Sequence, residues 1–272
     1  MSIIRSAPLA LILALTCGLT AQAQQIDLST MVQAPPSVNF GEGVKVGYRV
    51  EIETKVGSTN MSSFTAVVGE TEDAWEVEST QMLAAYASMP GGKGLVMAMA
   101  VDKKTLEVLS AKIGVPGGEL KDVKIMKLPE KRAKPQGQPL GTPEEFTLPS
   151  GKKVMARVST SKAGGQTYTS WVGAKGTKFE GLLLGFKGAN SSRTLSADPV
   201  EVDHELQDQD KDGKARTVVG RQVAYTDGSQ VVMTKDPVAK CMHFGLLSSK
   251  TPHSELKVIS LRTDAKRTLA WK

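Results

Sequence analysis

Residues 43–55, "GVKVGYRVEIETK", alternate with a period of two. Val44, Val46, Tyr48, Val50 and Ile52 fall on one face, and Lys45, Arg49, Glu51 and Glu53 on the other. That pattern fits a half-buried antiparallel strand, which needs strand neighbours at its edges and an apolar layer over one face. The pattern recurs. "SSFTAVVGETEDAWEVEST" reads as two strands around the polar turn Glu70 to Asp73, and "GLVMAMAVDKKTLEVLSAKIG" as a hairpin turning at Asp102 to Thr105. Further on, "KKVMARVSTS", "QTYTSWVG", "FEGLLLGFKG", "SSRTLSA", "CMHFGLLSS" and "SELKVISLR" read as strands. In "RQVAYTDGSQVVMTK", Asp227-Gly228 signals a two-residue hairpin pairing Tyr225 with Gln230, Ala224 with Val231 and Val223 with Val232.

The expected fold is therefore mostly β with minor α: a curved antiparallel sheet, half-barrel or open barrel of about a dozen strands with one or two short helices. "TQMLAAYASM" is the best helix candidate in the first half, ended by Pro90-Gly91-Gly92. Residues 24–43, with Pro35-Pro36, read as an extended lead-in, and 44–126 as a first β section. Residues 127–143 carry Pro129, Pro135, Pro139 and Pro143 with Lys127, Lys131, Arg132 and Lys134, and read as a solvated basic linker. Residues 144–272 form a second β section, either separate from the first or continuous with it.

The chain opens "MSIIRSAPLALILALTCGLTAQAQQ". Arg5 precedes an uncharged run from Leu9 to Leu15, and Ala21-Gln22-Ala23 supplies the small residues of a cleavage site, so 1–23 reads as a signal peptide cleaved after Ala23. Cys17 offers a minor alternative, lipid anchoring, but Ala14-Leu15-Thr16 fits that signal badly. The expected location is periplasmic or secreted. A transmembrane helix needs roughly 20 apolar residues, and no run of that length appears, so no transmembrane span is expected. The net charge of +6, with both signs interspersed, gives no reason to expect a nucleic-acid partner. Once the leader is removed Cys241 stands alone, which excludes an intramolecular disulfide, a thiolate zinc cluster and Cys-x-x-Cys redox chemistry within the chain.

Two motifs suggest chemistry. Asp208, Asp210 and Asp212, followed by Gly213, begin like a calcium loop, but Arg216 and Val219 stand where further ligands belong. A solvated turn is the expected reading, with these aspartates as weak metal candidates. Cys241 and His243 would share a face of a strand, as a nucleophile–base or metal pair needs, with His204 and His253 the other histidines. The expected role of Cys241 is that of a small buried hydrophobe. No Gly-x-Ser-x-Gly, His-Glu-x-x-His or phosphate loop is present. The expectation is a non-enzyme without a cofactor.

The order of elements, from "VKVGYRVEIETK" through "DAWEVEST", "MAVDKKTLEVLSAKIGVPGG" and "EEFTLPSGKKVMARVSTSKAGGQTYTSWVG" to "FEGLLLGFKG", resembles exported β proteins of the LolA/LolB-like superfamily. The resemblance spans about residues 43–260. It implies a curved sheet that cradles acyl chains, and lipid or lipoprotein carriage or envelope-stress sensing. The candidate ligand-binding face is then Val46, Tyr48, Val50 and Ile52 with Met97 and Met99. The leading expectation is a non-enzymatic periplasmic carrier for an acyl chain or other apolar ligand. Second stands an envelope structural or interaction module that meets a protein partner through a sheet edge. An enzyme or metal protein built on Cys241 and His243 stands third.

Overall fold

The computed structural model describes residues 31–81, 83, 92–127, 141–163, 165–189, 191–209 and 215–270. Among them the chain is overwhelmingly β. It begins with β1 (Gln33–Ala34), β2 (Arg49–Val56), β3 (Thr59–Glu70), β4 (Ala74–Ser79), β5 (Val96–Asp102) and β6 (Val108–Gly114). Two short strands follow, β7 (Lys121–Asp122) and β8 (Lys124–Ile125). Next come β9 (Pro143–Thr147), β10 (Lys153–Ala163), β11 (Gln166–Gly173), β12 (Leu183–Lys187) and β13 (Ser192–Thr194). The chain closes with β14 (Val200–Gln209), β15 (Ala215–Ala224), β16 (Gln230–Met233), helix α1 (Pro237–His243), β17 (Leu246–Lys250) and β18 (Ser254–Arg262).

These strands form a curved antiparallel sheet, as the alternation predicts. Eleven of them lie in the order β14-β15-β16-β17-β18-β2-β3-β4-β5-β6-β7, so strands from both sides of the Pro-rich segment share one sheet through the β18–β2 ladder. Strands β9 to β13 make a second, five-stranded sheet, and β1 pairs in parallel with β8. Among the described residues no helix is long and apolar enough to cross a membrane. The basic segment 128–140 lies outside the described residues, as does most of "TQMLAAYASM", of which Thr80, Gln81 and Leu83 are described.

Three local expectations are corrected. The first strand begins at Arg49, because the chain turns at Gly43 (φ 86°) and Gly47 (φ 93°). A Cβ at Gly47 would stand 2.3 Å from the Thr263 carbonyl oxygen, so only glycine fits this crossing. The β15–β16 hairpin is shifted by one residue: Ala224 pairs with Gln230 and Val223 with Val231. Tyr225 N–H donates to Ser229 O (2.9 Å), leaving Thr226, Asp227 and Gly228 as a three-residue loop with Gly228 at φ 79°. That loop puts glycine in the left-handed position in place of a two-residue turn. Third, "CMHF" is no strand. Asp236 caps α1 by accepting from Val238 N and Ala239 N, Pro237 supplies the first-turn geometry, and Phe244 (φ 52°) ends the helix.

The main core fills the inner face of the curled sheet. Val50 and Ile52 of β2, Val67, Val77, Met97, Met99 and Val101 meet Leu206, Val218, Val232, Leu247 and Leu261 from the other half. Gly220 permits this closure, since a Cβ there would lie 2.4 Å from Val232 Cγ1. The five-stranded sheet covers the outer face of the β15–β16 hairpin, where Val223 and Tyr225 join Leu148, Val154, Leu184 and Leu195. A Leu195–Tyr225 bridge links the two sheets. If the inner face is a packed core, Ile52→Ala leaves a void and loses about 2–5 kcal/mol of unfolding free energy in urea denaturation. A loss near zero would mark that face as loosely filled.

Candidate functional site

Of the candidate ligand face, Val50, Ile52, Met97 and Met99 are fully buried in the main core. Val46 is 40% exposed and Tyr48 half-buried; both precede the strand. The lead-in covers the buried four. It crosses the inner face from the β6–β8 end to α1, with Val32, Ala34 and Phe40 buried in the same cluster. Its main chain is tied down along the way: Met126 N to Ala34 O (2.9 Å), Val108 N to Pro36 O (2.9 Å), Val38 N to Leu106 O (3.0 Å) and Gly41 N to Cys241 O (2.7 Å). Val238, Ala239 and Met242 of α1 fill the rest. The described clefts are lined by residues other than these four.

The structure brings together a different polar cluster. β17 pairs with β18 only at Glu255, Leu256 and Lys257, so beyond Lys257 the β18 main chain has no strand on that side. Side chains from β14 and β15 take its place. His204 Nε2 meets Val258 O (2.7 Å), Asp208 accepts from Ser260 Oγ (2.7 Å) and Leu261 N (2.7 Å), and Arg216 donates to Leu261 O. Arg216 also pairs with Asp236 (3.0 Å), the residue that caps α1. The edge strand β14 thereby lies across β18, four ladders away in the same sheet.

This explains the aspartate-rich motif in part. Asp208 uses both oxygens as acceptors within the protein, while Asp210 and Asp212 lie outside the described residues. Among the described residues no group of three or more His, Cys, Asp or Glu side chains is arranged to hold a metal ion. The inner-face parity of Val202, His204, Leu206 and Asp208 was the available signal: two polar residues sit on the apolar row of a strand.

Cys241 and His243 are two residues apart on a helix, about 200° around its axis, so they do not share a face. The Cys241 thiol donates to Glu42 O (3.0 Å), and Gly43 approaches its sulfur. His243 Nε2 is buried without a hydrogen-bond partner, and burial holds the imidazole below its ordinary pKa. His253 is exposed.

A cleft of about 580 Å³ lies outside the curled sheet. Val219, Arg221, Met233, Lys235, Glu180 and Glu201 line it, and Arg216 and Asp236 stand where it meets the polar cluster. Val219 is 60% exposed there. Arg221 is fixed by donating to Lys178 O (2.9 Å), so the five-stranded sheet supplies one wall. The cleft thus offers an apolar floor between charges of both signs. No family model matches this chain, and no curated protein is similar to it in sequence.

Asp208→Ala leaves the buried Leu261 N–H without its acceptor and costs about 1–3 kcal/mol in denaturant unfolding, by the same amount in millimolar calcium or in chelator. For His243, the folded pKa lies below the unfolded one, so its contribution to stability is complete above about pH 6.5 and is lost as pH falls below that value. His243→Leu is expected to flatten the fall in melting temperature between pH 7 and 5; an unchanged slope would assign that fall to other groups.

Proposed function

We propose a non-enzymatic binding protein of the cell envelope that acts as an interaction module, engaging a polypeptide partner through the outer cleft beside β15. The leader-like start and the resemblance to exported β proteins support the location. One observation carries the mode of binding. The inner apolar face is filled by the chain's own lead-in and helix, whereas the cleft of about 580 Å³ outside it is open. Exposed Val219 beside Arg221, Lys235 and Glu201 suits an extended segment with an apolar side chain and charges of either sign.

A carrier for an acyl chain or other apolar ligand is the second reading. It is favoured by the continuous apolar surface of Val50, Ile52, Met97 and Met99 beneath a lead-in whose described residues bury Val32, Ala34 and Phe40 there and pack Val38 against them. Such a ligand would displace the lead-in.

The two readings separate in one experiment. A photo-crosslinker at Val219 is expected to trap a defined envelope protein in cells, and one at Val56, exposed on the β2–β3 hairpin, is not. Protein purified from the same cells is expected to carry no lipid by native mass spectrometry. Co-purified lipid, together with fatty-acid binding blocked by Val50→Phe, would replace the module with the carrier.

A further inference from the structure

The segment after β18 folds back over the outer face of β3–β5, opposite the core. Glu78 of β4 is fully buried there, and its carboxylate accepts Thr268 N (3.0 Å to each oxygen), Leu269 N (2.9 Å) and the Thr268 hydroxyl. Leu269 is buried against Val96, Ala98, Phe64 and Leu120. Arg267 pairs with Glu76, one strand position pair earlier on the same face. A Cβ at Gly69 would lie 2.8 Å from Arg267 Nη2, and Gly47, whose carbonyl accepts Ala265 N (2.9 Å), makes the tight crossing described above. Lys266, Thr268 and Ala270 are exposed.

We infer that this outer face is a recognition slot for an extended polypeptide segment of basic–hydroxyl–aliphatic character, and that Thr263–Ala270 occupies it in cis. The surface has the parts such a slot needs. A buried carboxylate reads two consecutive main-chain N–H groups, which any extended segment presents. An apolar pit takes one aliphatic side chain, and a second carboxylate selects a cation two residues before it. Two glycines leave room for the visiting backbone. The resident segment contributes Leu269 as its buried anchor, and it adds no strand to the sheet. Its release would therefore break none of the ladders beneath it. A partner carrying the same pattern competes for the slot, and the affinity it shows is scaled by the fraction of molecules whose own segment is released.

The test uses the full chain and a fluorescently labelled peptide copying Thr263–Ala270. Leu269→Ser weakens the resident segment in place, so the peptide is expected to bind this variant about tenfold or more tightly than the unaltered chain. Adding Glu78→Gln to that variant abolishes binding, and a peptide with the Thr268 and Leu269 equivalents exchanged binds neither chain. Equal affinity for both chains, or equal binding of the exchanged peptide, overturns the inference. Hydrogen exchange of the unaltered protein serves as a second measurement that requires no variant. The Thr268 and Leu269 amides are expected to exchange about 100-fold faster than those bonded within the β4–β5 ladder. Exchange at the ladder's own rate makes the segment an integral part of the fold and equally overturns the inference.

Discussion

The short stretch of β18 from Val258 to Leu261, where the strand loses its neighbour, is the constraint on which the architecture rests. Buried main-chain groups require partners, and here no strand provides them. His204, Asp208 and Arg216 reach across from β14 and β15 to do so. Because those side chains sit on the strands at the far end of the sheet, satisfying β18 forces the sheet to curl. Curling brings Leu206 and Val218 over Val258 and Leu261, which closes the apolar core. The gap itself exists because α1 separates β16 from β17 and leaves β17 only five residues long. Arg216 joins the two facts by holding both the Leu261 carbonyl and the helix cap Asp236.

With the inner face closed, the chain meets the remaining apolar surface from three directions. The lead-in runs under β5 and β6, the five-stranded sheet seats on the β15–β16 hairpin, and Leu269 returns to the outer side of β5. β5 is consequently apolar on both faces, with Met97 and Met99 inward and Val96 and Ala98 outward. This bears directly on function. A curved sheet suggests a cradle, but here the cradle is occupied by the protein's own chain, and the accessible relief lies outside it. Binding at the outer cleft leaves the core intact, whereas binding within the curl exchanges protein contacts for ligand contacts. The Arg216–Asp236 pair lies at the boundary between the cleft and the polar cluster, so a ligand there touches the residues that keep the sheet curled.

The sequence by itself determined the β class, the alternating faces of β2 and β4, and the turn at Asp102, whose carboxylate accepts the Lys104 and Thr105 N–H groups. These are local facts: a period of two and a turn residue act within a few positions of chain. Local reading erred where two local signals competed. Alternation continued through Val44 and Val46 although Gly47 breaks the strand, and the run "CMHFGLL" hid a helix whose start was written in Asp236-Pro237. Tertiary structure alone decided that Asp208 would serve the β18 main chain, that the lead-in would cover Met97 and Met99, and that Glu78 would be buried beneath residues 190 positions away. The physical reason is that these contacts join groups distant in sequence. Whether a polar side chain on an apolar row meets a metal, a ligand or an unpaired strand depends on what the fold brings opposite it, and the spacing of residues along the chain carries no record of that.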